Sequence, residues 1–140
     1  MLTTQELSQL LREQGYKVTP QRLAVYTALS DETWHPSAEM LYKKLQSSYP
    51  NMSFATVYKS MEILHKIDAV RVLSTGEDSF RFDANMNEHQ HLQCTCCGEV
   101  EDVMVPHMEI VTAAVEDISG YSVQKREFYF FGLCPKCRKN

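Results

Sequence analysis

Apolar residues recur every three or four positions through the first half of the chain, then every second position from about Val70. The first pattern is that of amphipathic helices and the second that of strands. Leu7, Leu10 and Leu11 form one apolar stripe, so a helix is predicted over 3–15, with Gly15 as its stop. Thr19 and Pro20 have the residue types that open a helix, which Leu23, Val25, Tyr26 and Leu29 carry to about Ser30. Ser37 is the expected cap of a third helix over "AEMLYKKLQSSY", and Ser53 of a fourth over about 54–67. Val70, Val72, Phe80 and Phe82 alternate around "TGED", which predicts a hairpin. After the polar "ANMNEH" come strands over 89–93 and 99–105, a helix over about 107–118 closed by "SG", and a long strand over "YSVQKREFYFFGL". This order predicts an α+β fold: an N-terminal winged helix-turn-helix domain over 1–82, a hinge over 83–88 and a C-terminal α/β domain over 89–140.

Composition is that of a globular protein, with 44% apolar and 23% charged residues. No apolar run is long enough to span a bilayer, and the polar, helically spaced first residues do not read as an export signal. Both features favour a cytoplasmic protein with no membrane partner. The net charge of −4 does not announce a nucleic-acid partner. The acidic surplus is local, however. Nine basic and nine acidic residues stand up to Phe82, against five and nine from Asp83 onward. Any contact with DNA therefore falls to the first half, through local basic groups.

Five cysteines is an odd number, and without an export signal metal or redox chemistry comes before disulfides. Cys94 and Cys97 form one Cys-x-x-Cys pair, and Cys134 and Cys137 another. Two such knuckles supply the four thiolates of a closed structural zinc site, with Gly98 and Pro135 suited to the turns. Buried free cysteines and a dithiol redox motif are the alternatives. Cys96 is left over, as a small bystander or a reactive thiol.

His89 and His91 share a face if they lie on a strand. If the hairpin centres on the cysteine turn, residues whose numbers sum to about 193 face each other, which sets His91 opposite Asp102. Asp83 stands at the start of the hinge and His35 in an "HP" loop of the first half. Imidazoles and carboxylates suit exchangeable iron, manganese or zinc. A metal held by all five would bridge the halves and act as a switch. The alternative is a polar hinge with solvated histidines. His65 and His107 read as ordinary surface residues. A metal hydrolase is disfavoured, because five protein ligands leave little room for substrate. A bare zinc-ribbon interaction module would ignore the first half of the chain.

On the fourth helix, Val57, Met61 and Leu64 point one way, and Ala55, Lys59, Glu62 and Lys66 the other, with Tyr58 on the flank. Such an outward face fits a recognition helix in a major groove. Gln21 and Arg22 could clamp phosphates from the second helix, and Arg71 and Arg81 from the hairpin. A plain amphipathic surface helix is the alternative, and acidic Glu62 speaks for it.

Taken together, "TPQR", "HPSAEMLY", "SFATVYKSMEIL", "HxHLxCxxCG" and "CPKC" resemble the ferric uptake regulator (Fur) family over nearly the whole chain. The resemblance implies a metal-dependent transcriptional repressor, not an enzyme. It also implies that the C-terminal domain is for dimerisation, and that a homodimer binds palindromic double-stranded DNA operators. By position, structural Zn2+ falls on Cys94, Cys97, Cys134 and Cys137, and regulatory Fe2+ or Mn2+ on His35, Asp83, His89, His91 and Asp102. DNA contacts fall on Gln21, Arg22, Ala55, Thr56, Tyr58, Lys59, Arg71 and Arg81. Aspartates at 83 and 102, where iron sensors usually have glutamates, resemble the peroxide-sensing (PerR) branch. There, bound ferrous iron reacts with hydrogen peroxide and oxidises a ligand histidine, here His35 or His89. An iron- or manganese-level sensor without self-oxidation is the alternative. A further metal site of some relatives matches Glu88, Gln90, Glu109 and Arg126, whose chemistry implies that the site is absent. Lys59 stands where many relatives have arginine or asparagine.

Overall fold

The computed structural model describes residues 1–31, 35–74 and 80–139. The chain divides into two compact units, Met1–Asn87 and Glu88–Asn140. The first holds α1 (Thr4–Glu13), α2 (Pro20–Ser30), α3 (Ala38–Leu45), α4 (Phe54–Lys66), β1 (Arg71–Leu73) and β2 (Arg81–Asp83). Each helix opens on a hydroxyl that accepts an amide of the first turn: Thr3 from Glu6, Thr19 from Arg22, Ser37 from Met40 and Ser53 from Thr56. At α1 the Glu6 carboxylate also takes the Thr3 amide at 2.7 Å, which completes a capping box.

The third helix is shorter than its apolar pattern predicts. It ends at Leu45, whose carbonyl takes the Tyr49 amide at 2.8 Å in a turn. The Gln46 side chain reaches the Met52 carbonyl at 3.1 Å. Pro50 keeps the residue before it out of helical geometry. The four helices pack around one apolar core in which Leu7, Leu11, Leu41, Val57, Met61 and Leu64 have no exposure. Strands β1 and β2 pair antiparallel, with Arg71 opposite Asp83 and Val72 opposite Phe82. Asp83 is thus the last residue of a strand. The predicted turn over 75–78 lies outside the described residues. Helices α2 to α4 followed by this hairpin make a winged helix-turn-helix.

The second unit holds β3 (Gln90–Cys94), β4 (Val100–Val103), α5 (Met108–Ser119), β5 (Tyr129–Gly132) and a short α6 (Pro135–Arg138). The sheet order is β4-β3-β5. Strand β4 runs antiparallel to β3, and β5 runs parallel to it. The long strand predicted over 121–133 is confined to its last part. The chain before it is held by α5 instead: the Glu116 carboxylate accepts the Val123 amide at 2.8 Å. In this unit the only buried apolar side chains among the described residues are Cys94 and Val100. Ile110, Val115 and Ile118 of α5 and Phe130 and Phe131 of β5 are all exposed.

Candidate metal centres and nucleic-acid face

The cysteine cluster is built by the sheet. Parallel pairing sets Cys94, at the end of β3, level with Gly132 at the end of β5. The Thr95 amide donates to the Gly132 carbonyl at 2.8 Å. The chain after Cys94 turns back at once, with Gly98 donating to the Cys94 carbonyl at 2.9 Å. Gly98 has φ +74°, a left-handed value that a side chain disfavours. On the other side, Cys134 caps α6 and Cys137 lies in its first turn. All four sulfurs lie within 4.8 Å of one another, and Cys97 and Cys134 are 3.8 Å apart. A tetrahedral zinc with bonds of ~2.3 Å sets its sulfurs ~3.8 Å apart, so the set fits a structural zinc.

The electrostatics agree. Amides of Cys134 and Cys97 donate to the Cys94 sulfur and bring its pKa down to about 6. The Cys134 amide lies 3.3 Å from that sulfur. For Cys97, donation by the Glu99 amide is outweighed by the neighbouring Cys94 sulfur, by burial and by Cys134, so its pKa rises. Cys137 is raised as well, chiefly by Cys134 and then by Cys96. Thiols this close resist losing their protons together unless a cation sits among them. Cys96 is exposed and lies outside the four-sulfur set.

In the first unit, His35 and Asp83 are brought together by β2. The Phe82 amide donates to the Pro36 carbonyl at 3.0 Å, and the Arg81 guanidinium to the His35 carbonyl at 3.3 Å. These bonds hold the "HP" loop beside β2, and the His35 Nδ1 stands 3.9 Å from the Asp83 Oδ1. His35 is buried with φ +50°, a left-handed conformation that costs a non-glycine residue ~1–2 kcal/mol.

In the second unit, His91 is paired with Asp102, as the turn-centred register predicts. The His89 Nε2 lies 3.0 Å from the His91 Nε2. The same Asp102 Oδ1 stands 3.1 Å from His89 and 3.5 Å from His91. Both imidazoles are buried. Three ligand atoms thus converge on one point, which is what a shared cation needs. Tyr129 stacks on His91, with ring centroids 5.6 Å apart and 23° between planes. Sequence reasoning missed Tyr129, because its place depends on the parallel register of β5 with β3, for which the chain carries no local signal.

The four positions that match the further metal site of some relatives make the following contacts. Arg126 donates to the Glu88 carboxylate and to the Thr112 hydroxyl. Gln90 accepts the Val105 amide at 2.8 Å, and Glu109 pairs with His107 at 3.4 Å. His65 and His107 are both exposed.

On α4, Ala55, Tyr58 and Lys59 are exposed, and Thr56 is half-buried with its hydroxyl 2.9 Å from that of Ser53. Lys59 pairs with Glu62 at 3.2 Å. Gln21 is exposed at the start of α2. The three arginines have tasks that residue type did not reveal. Arg22 donates to the Lys17 carbonyl, Arg71 to that of Met86 at 3.3 Å and Arg81 to that of His35. Each braces the fold with part of its donor set.

A winged helix-turn-helix, followed by a unit with a four-thiolate cluster and converging imidazoles, defines a metal-binding regulator of the winged-helix class. The ferric uptake regulator family profile matches residues 13–131, and the chain belongs to that family. The peroxide operon regulator of Bacillus subtilis (strain 168) is 34% identical over 134 residues, covering 96% of this chain and 92% of the relative. The peroxide-responsive repressor PerR of Staphylococcus epidermidis is 32% identical, covering 92% of this chain and 86% of the relative. In fold, the ferric uptake regulator Fur of Helicobacter pylori superposes with a TM-score of 0.87 at 23% identity, covering 99% of this chain and 96% of that one. Family members are transcription regulators. Among the described residues, no helix is long and apolar enough to cross a membrane.

Proposed function

We propose that this chain is a cytoplasmic, homodimeric, metal-dependent repressor that binds palindromic DNA operators and releases them in response to hydrogen peroxide. The observation that carries this reading is the convergence of His89, His91 and Asp102, by an aspartate rather than a glutamate, in a chain about one third identical to peroxide regulators. Zn2+ sits on the four-cysteine cluster and keeps the second unit folded. The regulatory ion, Fe2+ or Mn2+, takes His35 and Asp83 from the first unit and His89, His91 and Asp102 from the second.

Bound ferrous iron supplies the redox chemistry that turns hydrogen peroxide onto a ligand imidazole, His35 or His89, whereas manganese does not. The chain's own residues do the rest. Asp102 orients the imidazoles of His89, just before β3, and of His91 on it, and Tyr129 keeps the His91 ring in plane. An imidazole that gains oxygen loses ligand strength, so the five-residue set comes apart and the two DNA-binding units lose their common setting. The exposed apolar residues of α5 and β5 support a homodimer, because a second copy can cover them. Twofold symmetry then brings two α4 helices to two half-sites of a palindrome.

The test is mass spectrometry of iron-loaded and manganese-loaded protein after mild peroxide. The iron form is expected to gain one oxygen atom on a peptide containing His35 or His89 and to release DNA. The manganese form is expected to stay intact and bound. An unmodified iron form that keeps its DNA would favour a sensor of iron or manganese level instead.

A further inference from the structure

Glu62 is the unexplained residue of α4. It lies on the same face as Lys59, one helical turn further along, and the two side chains are 41% and 64% exposed. A carboxylate on a face that meets DNA repels phosphates, and the first half of the chain has no basic surplus to offset it. As a helix-stabilising pair on an exposed surface, Lys59 and Glu62 would contribute little. That is a weak reason to place a negative charge there.

The pair offers something else: a donor and an acceptor held 3.2 Å apart on one exposed surface. In the major groove, guanine presents the acceptors O6 and N7, which suit an ammonium, and its partner cytosine presents the N4 donor, which suits a carboxylate. O6 and N4 are neighbours across one base pair. The Lys59–Glu62 ion pair can therefore lie over a single G·C pair without breaking. We propose that Lys59 and Glu62 act as one reading unit for a G·C pair in each operator half-site, with Lys59 on guanine and Glu62 on the cytosine amino group. This inference rests on α4 being the recognition helix. Glu62 lowers affinity for DNA in general and restores it only where a cytosine amino group meets the carboxylate, so it acts through discrimination.

The test is selection from a randomised double-stranded DNA library by the manganese-loaded full chain, alongside Glu62→Ala and Lys59→Ala. The wild-type protein is expected to enrich a palindrome with one invariant G·C pair per half-site. Both variants are expected to relax that same position about tenfold or more, and no other. Glu62→Ala is also expected to bind non-matching DNA more tightly than wild type. Unchanged selectivity in Glu62→Ala, or relaxation of different positions by the two variants, overturns the inference and leaves the DNA-binding reading intact. A wild-type protein that enriches nothing overturns both.

Discussion

The two units of this chain are stabilised in opposite ways. The first encloses apolar side chains from all four helices and from its hairpin. The second leaves most of the apolar face of α5 and β5 exposed and buries polar groups instead: His89, Gln90, His91 and Gln93. Apolar burial supports the first unit without help. The second is small and polar inside, so burial alone contributes little to it, and an ion among the thiolates would add what its core does not.

The largest test of this contrast is removal of zinc. Chelation, or Cys94→Ser with Cys137→Ser, should cost on the order of 10 kcal/mol of metal-coupled folding energy. Amide hydrogen exchange should then become fast across 88–139 while α1 to α4 stay protected. If both units lost protection together, the contrast would fail. A smaller effect comes from the other side. Leu41→Ala empties a fully buried position of the first core and should cost about 3 kcal/mol in urea unfolding, with zinc content unchanged.

The smallest effect is a titration. Amide and hydroxyl bonds from Thr3 hold the Glu6 carboxyl below its ordinary 4.5. A depressed folded-state pKa gives stability that is present above pH 4.5 and fades as pH falls through the folded value. Glu6→Gln should abolish this dependence. In Thr3→Ala, which keeps the residue-3 amide as a donor and loses only the hydroxyl, NMR titration should find the Glu6 carboxyl moved part of the way back toward its ordinary value.

The helices of the first unit were legible because each opens on a hydroxyl that caps it. Thr19, Ser37 and Ser53 all cap where their residue type predicts. The pairing of His91 with Asp102 was legible too, because a hairpin's register follows from the position of its turn. What lay outside reach was non-local. The parallel seating of β5 on β3 depends on a crossover through α5, and with it come the length of β5 and the stacking of Tyr129 on His91. Side-chain bonds to distant carbonyls were equally hidden. Arg81 reads as a phosphate clamp from its charge, and that it also holds the His35 loop is visible only in the fold. The end of α3 at Leu45 was obscured for a different reason. The apolar and polar spacing continues to Tyr49, while Gln46 and Pro50 redirect the backbone.

Parallel seating of β5 on β3 also sets a tempo for assembly. The helices of the first unit close through contacts near in sequence, which form early and fast. His91 can meet Tyr129 only after the intervening chain has been synthesised, has formed α5 and has looped back. Loop closure of that length is slow, and little holds it until the second cysteine knuckle reaches the first. A newly made chain therefore passes through an interval with a folded helical unit and an unfinished imidazole pair. During that interval the second cysteine knuckle has not reached the first, so the four-sulfur cluster is still incomplete.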